Sequence, residues 1–79
     1  MEEANPVIKR IEKDIRMFND NIGAARPEGK MQERVIELSK MYAKDAKSYL
    51  DKGDLFTAFS CISYAHGLLD AIREINPQQ

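Results

Sequence analysis

Apolar residues recur along this chain at alternating spacings of three and four, in three separate runs. Ile8, Ile11, Ile15, Phe18 and Ile22 form the first, a spacing that places all five on one face of an α-helix. Asn5-Pro6 supplies a cap followed by proline at the first helical position, and Lys9, Lys13, Arg16 and Asp20 fall on the opposite face. Gly23 can turn left-handed just past the last apolar position, and Ala24 to Gly29 then reads as a connecting loop. Met31, Val35, Leu38, Tyr42, Ala46 and Tyr49 mark a second stripe that closes at Gly53. Asp54 is a good N-cap for a third helix, which carries Leu55, Ala58, Phe59, Ile62, Ala65, Leu69 and Ile72 along one side and stops near Asn76-Pro77. Helices over about 6–22, 30–52 and 55–75 follow. Short connections favour antiparallel neighbours, so the pattern predicts an all-α fold, an antiparallel up-down-up three-helix bundle, in one domain spanning 1–79.

The third run differs from the others. From Leu55 to Leu69, fifteen residues pass without one formally charged side chain. A surface helix alternates apolar and charged faces, so a helix uncharged for four turns is expected to have protein on most sides. At about 100° per residue, Ala58, Ile62 and Leu69 centre its apolar side. Ser60, Ser63, Gly67 and Ala71 fall on the far side, which is small rather than charged, and Phe56 and Tyr64 flank them. Either Gly67 and Ala71 fit tight packing inside the bundle, or these six residues form a face for self-association or partner docking.

Composition removes several alternatives. In 79 residues Cys61 is the only cysteine and His66 the only histidine, which rules out an internal disulfide and a structural zinc site. A chain this small must then rely on regular helix packing or on oligomerisation. Twelve basic against thirteen acidic residues leave no positive field to hold a phosphate backbone, so no nucleic acid is expected as partner. The start, Met-Glu-Glu-Ala-Asn-Pro, lacks the basic and apolar regions of a signal peptide, and the uncharged run falls short of the roughly 20 residues of a membrane span. A cytoplasmic protein with no membrane partner is the expectation.

Candidate chemistry is sparse. Asp45 sits on the edge of the second apolar stripe, where an unpaired carboxylate is costly; Tyr64 or Arg10, at about its height in an antiparallel bundle, would serve as its partner. The functional alternative gathers Tyr42, Asp45, Tyr64 and His66 around a small-ligand crevice. His66 otherwise reads as a half-buried side chain with one hydrogen-bond partner, and Cys61, with no basic neighbour in the adjoining turns, as a buried, inert thiol. Asp54 is accounted for as a cap and Asp70 as a solvent-facing residue. The loop from Gly23 to Gly29 lacks the glycine spacing and Gly-Lys-Ser/Thr ending of a phosphate cradle. No catalytic residue, metal ligand or cofactor is assigned.

Tyr49-Leu50-x-x-Gly53-Asp54, then Ala58 and Tyr64-Ala65, is similar to part of a tetratricopeptide repeat, although a single copy cannot build a repeat array. With its added helix, the hairpin is also similar to three-helix domains of membrane-trafficking proteins that bind short helical peptides. A closer match covers about the last half of the chain. Tyr42-x-x-Asp45-Ala46, Tyr49-Leu50, Gly53-Asp54, Ala58-Phe59 and Tyr64-Ala65-x-Gly67-x-Leu69-Asp70-Ala71 together resemble the archaeal family catalogued as domain of unknown function 357. That resemblance implies a compact three-helix bundle from an archaeon and carries no activity or site residue. A thermophilic source would suit ion-pair networks among the mixed charges of the first two helices. The functional expectation is a non-enzymatic helical interaction module that self-associates through its third helix. The alternative is a small-ligand or accessory domain with a crevice near Asp45.

Overall fold

A computed structural model describes residues 5–77, which form three α-helices: α1 (Pro6–Ile22), α2 (Gly29–Asp51) and α3 (Leu55–Ile75). The fold is an antiparallel three-helix bundle, as the periodicity implies. Asn5 caps α1, its side-chain oxygen accepting from the backbone N–H of Val7 at 2.7 Å, with Pro6 at the first helical position. Gly23 departs from expectation: its φ of −69° is right-handed. The chain leaves α1 through tight turns in which Ala24 and Ala25 donate to the carbonyls of Asn21 and Ile22. Arg26 then donates its guanidinium to the carbonyls of Gly23 and Ala25, a side-chain cap that needs no left-handed residue.

Gly53 does take the left-handed conformation, with φ +84°. Gly53 N–H donates to Leu50 and Asp54 N–H to Tyr49, the paired bonds that close a helix end in a Schellman turn. Asp54 at once caps α3, accepting from Thr57 N–H at 3.2 Å. One residue thus ends one helix and starts the next, which fixes the α2/α3 hairpin in register. At the opposite end Asn76 donates its amide to the Arg26 carbonyl at 2.9 Å and to Gln32 Oε1, which itself accepts from Glu28 N–H. This clasp ties the end of α3 to the α1–α2 loop.

The core is thin and rich in small residues. Phe18, Ile36, Ala43, Ala46, Ile62, Ala65, Leu69 and Ile72 form its centre, with Ile11 and Ala58 also fully buried. Helices α2 and α3 pack along most of their length, α1 lies chiefly against α3, and α1 and α2 barely meet. His66 holds α1 in place: its Nε2 donates to the Asp14 carbonyl at 2.8 Å, and its ring meets Phe18 edge-on at 5.8 Å.

The second helix turns a different stripe inward from the one its largest apolar residues suggest. Ile36, Ser39, Ala43 and Ala46 are buried, while Met31 and Leu38 are exposed and Val35, Tyr42 and Tyr49 are half-buried. Small side chains let α3 approach closely, and the Ser39 hydroxyl loses no bond in the core because it donates to the Ile36 carbonyl at 2.7 Å. The exposed charges form isolated pairs rather than networks among the described residues: Arg10–Asp14, Glu37–Lys40 and Lys47–Asp51, each within one helix.

Two substitutions probe this framework by thermal and urea denaturation. Ile62→Ala removes a fully buried branched side chain from the centre of the core and is expected to destabilise by about 2–5 kcal/mol. Gly53→Ala leaves every contact in place but puts a Cβ at positive φ, with an expected loss of about 1 kcal/mol.

Candidate functional site

The hairpin has two broad faces, and only one of them is covered. Helix α1 lies over the side where Phe59 and His66 project from α3 and Lys40, Ala43 and Lys47 from α2. On the opposite side Tyr42 and Tyr64 meet edge to face, their ring centroids 4.6 Å apart. That contact marks the antiparallel register, in which Leu38 stands level with Leu68, Met31 with Ile75 and Asp45 with Cys61. No described element covers this side.

What it exposes is largely apolar. Phe56 is 84% exposed, Met31 77%, Ile75 61%, Met41 56%, Tyr64 51% and Leu38 36%. Between them Cys61 and Leu68 are half-buried, and Ser60, Ser63, Gly67 and Ala71 are exposed. The six residues singled out in α3, namely Phe56, Ser60, Ser63, Tyr64, Gly67 and Ala71, therefore all lie at the surface, on its open face or the adjoining edge.

Gly67 is the informative one. A Cβ built there would meet nothing within 4 Å, and Ala71 is exposed. Close packing inside the bundle thus explains neither residue. A glycine in mid-helix weakens the helix by roughly 1 kcal/mol relative to alanine, and no contact among the described residues offsets it.

The contribution of α2 to this face is hidden in the sequence, because Met31 and Leu38 have the spacing of core residues. One signal for it exists: small residues Ser39 and Ala43 run beside the first stripe and meet it at Ala46, the one member of that stripe that is fully buried. Of the two stripes, the smaller one suits the tight α2/α3 seam.

The four polar residues grouped near Asp45 do not converge. Tyr42 and Tyr64 touch, and Asp45 lies on the same open face, exposed and without an ion pair or hydrogen bond among the described residues. Arg10, the other partner expected for Asp45, pairs with Asp14 on its own helix. His66 points to the α1 side of the bundle. The grooves beside α1 are open and shallow, about 400 Å³ between Ile15, Phe18 and Lys44 and about 540 Å³ between Ile8, Asn19 and Leu50. Among the described residues no three His, Cys, Asp or Glu side chains gather as metal ligands. Burial, followed by the nearby Asp45 and Asp54 carboxylates, pushes the Cys61 thiol above its ordinary pKa.

By length and composition alone α3 could cross a membrane. In this fold it is instead the central helix, yet only Ala58, Ile62, Ala65, Leu69 and Ile72 of its 21 residues are buried.

A family model described as "Protein of unknown function (DUF357)" matches residues 13–76, which takes in most of α1 as well as the whole hairpin. No curated protein matches the sequence.

Two measurements check the local chemistry. Gly67→Ala is expected to stabilise the isolated chain by about 0.5–1 kcal/mol, raising Tm by a few degrees in dilute solution. Since the raised pKa lowers the thiolate fraction near neutrality and the side chain is half-buried, Cys61 should react with a disulfide reagent at pH 7.5 several-fold more slowly than a free thiol.

Proposed function

Because the chain belongs to the DUF357 family, whose description assigns no activity, we propose from geometry alone that it is a non-enzymatic helical interaction module. It self-associates through the open face of the α2/α3 hairpin, with α3 at the centre of the contact. It works in the cytoplasm on protein partners, itself first among them, and not on nucleic acid. One observation carries this reading: aromatic and long aliphatic side chains stand exposed on both helices of the hairpin, with Phe56 84% and Met31 77% accessible. Contiguous apolar surface on a small chain marks a place that something else covers.

A small-ligand site near Asp45 draws no comparable support. A ligand pocket is a concavity with a few polar groups converging on it, whereas His66 and the two tyrosines here lie on opposite sides of α3.

Sedimentation equilibrium over a range of concentrations tests the reading. The chain should approach twice its 9.0 kDa mass as concentration rises. Tyr64→Asp, at an exposed position, should keep helicity by circular dichroism and weaken association by at least about tenfold. A chain that remains monomeric at millimolar concentration contradicts self-association.

A further inference from the structure

Apart from Asp45, the open face carries its charge at the margins, and the two margins differ in sign. Along the α2 edge, Arg34 lies one turn before Leu38 and one heptad before Met41, with Lys30 a further turn away. Along the outer edge of α3, Asp70 and Glu74 follow Gly67 at spacings of three and seven. All four are exposed, and none belongs to an ion pair among the described residues. Arg73, the remaining charge near the end of α3, lies a heptad from His66 and lines one crevice with Asp70 and Glu74, so this edge keeps a net negative charge. The hairpin register places Arg34 level with Ile72, midway between Asp70 and Glu74. A basic edge and an acidic edge therefore stand at the same height on opposite sides of one apolar face.

We propose, building on the self-association reading above, that the occupant of this face is a second copy of the chain related by a two-fold axis parallel to the hairpin. Such an axis lays α2 of each copy on α3 of the other and keeps every residue at its own height. Arg34 then meets Asp70 and Glu74 of the second copy, and the contact occurs twice by symmetry. Asp45, which has no partner among the described residues, comes level with Cys61 and within a turn of Tyr64 of the second copy. Gly67 comes against α2 of that copy, which gives a glycine with open space around it a reason to lack a side chain.

A two-fold perpendicular to the helices, with its axis at the height of the Tyr42–Tyr64 contact, instead brings Arg34 within a turn of Lys52 and Glu74 level with Asp54 of the second copy. Like charges in an interface disfavour that pairing. Size agrees as well. Two helices about 30 Å long, each about 10 Å across, present roughly 600 Å² in projection before side-chain relief is counted, close to the ~800 Å² per partner of a standard interface.

Charge exchange tests the arrangement, with dimer dissociation constants measured by sedimentation and each variant's fold checked by circular dichroism. Arg34→Glu alone, and Asp70→Lys with Glu74→Lys, should each raise the constant at least about tenfold, and the triple variant should return to within about threefold of the native chain. Tyr64→Asp serves as the control that removes the face whatever the pairing. Loss of dimer in Tyr64→Asp with no response to either charge change overturns the parallel two-fold and leaves self-association standing. A native chain that is monomeric throughout overturns both. So does a monomer that sediments with vesicles of phosphatidylcholine and phosphatidylglycerol, since a lipid surface is then the occupant.

Discussion

Everything in this molecule depends on the close approach of α2 to α3. That approach is set at one end by the turn at Gly53 and Asp54, where a positive-φ glycine closes α2 and the next carboxylate opens α3. It is sustained along the seam by small side chains, Ala43, Ala46, Ala58 and Ala65, all buried. Alanine contributes little hydrophobic energy per residue but lets backbones draw near, so contact along the full seam replaces bulk. The large side chains of α2 pay for this arrangement with their burial: once the small stripe faces α3, Met31, Leu38 and Met41 are rotated out. The open face is thus a consequence of how the hairpin closes, and α1, committed to the other side by His66 and Phe18, cannot cover it.

Much of this was legible in the sequence. Caps at Asn5 and Asp54, the three-four spacing of the isoleucines and the glycine at 53 are local signals, and local signals set helix limits. The inward side of α3 was readable because that helix carries one dominant stripe of large and small residues together. The faces of α2 were not, because two apolar stripes run side by side there and periodicity alone does not rank them. Burial of Ser39 in preference to Leu38 is decided by the partner helix, a tertiary fact. Gly23 likewise offered a left-handed turn that Arg26 made unnecessary.

The candidate residues divide the same way. Phe56, Ser60, Ser63, Tyr64, Gly67 and Ala71 share one side of one helix, so a wheel projection suffices to group them. Tyr42, Asp45 and His66 come from different faces of two helices, and their grouping needed a register and a rotation that only packing supplies. The membership of the chain in its family adds that the hairpin and most of α1 form one recurring unit. The charge-free length of α3 then has a physical reading: one side lines the core, and the other, small and uncharged, is the side on which the proposed contact rests.

The central claim is that the open face, and no other exposed surface, becomes covered as the chain finds its partner in itself. Methyl NMR of methionine-labelled protein reads this most directly, because Met31 and Met41 lie on the open face while Met17, 43% exposed, lies on α1. With a soluble paramagnetic probe, raising the concentration should protect the methyls of Met31 and Met41 and leave that of Met17 as accessible as before. Equal accessibility of all three at every concentration, or protection of Met17 alone, would contradict the account.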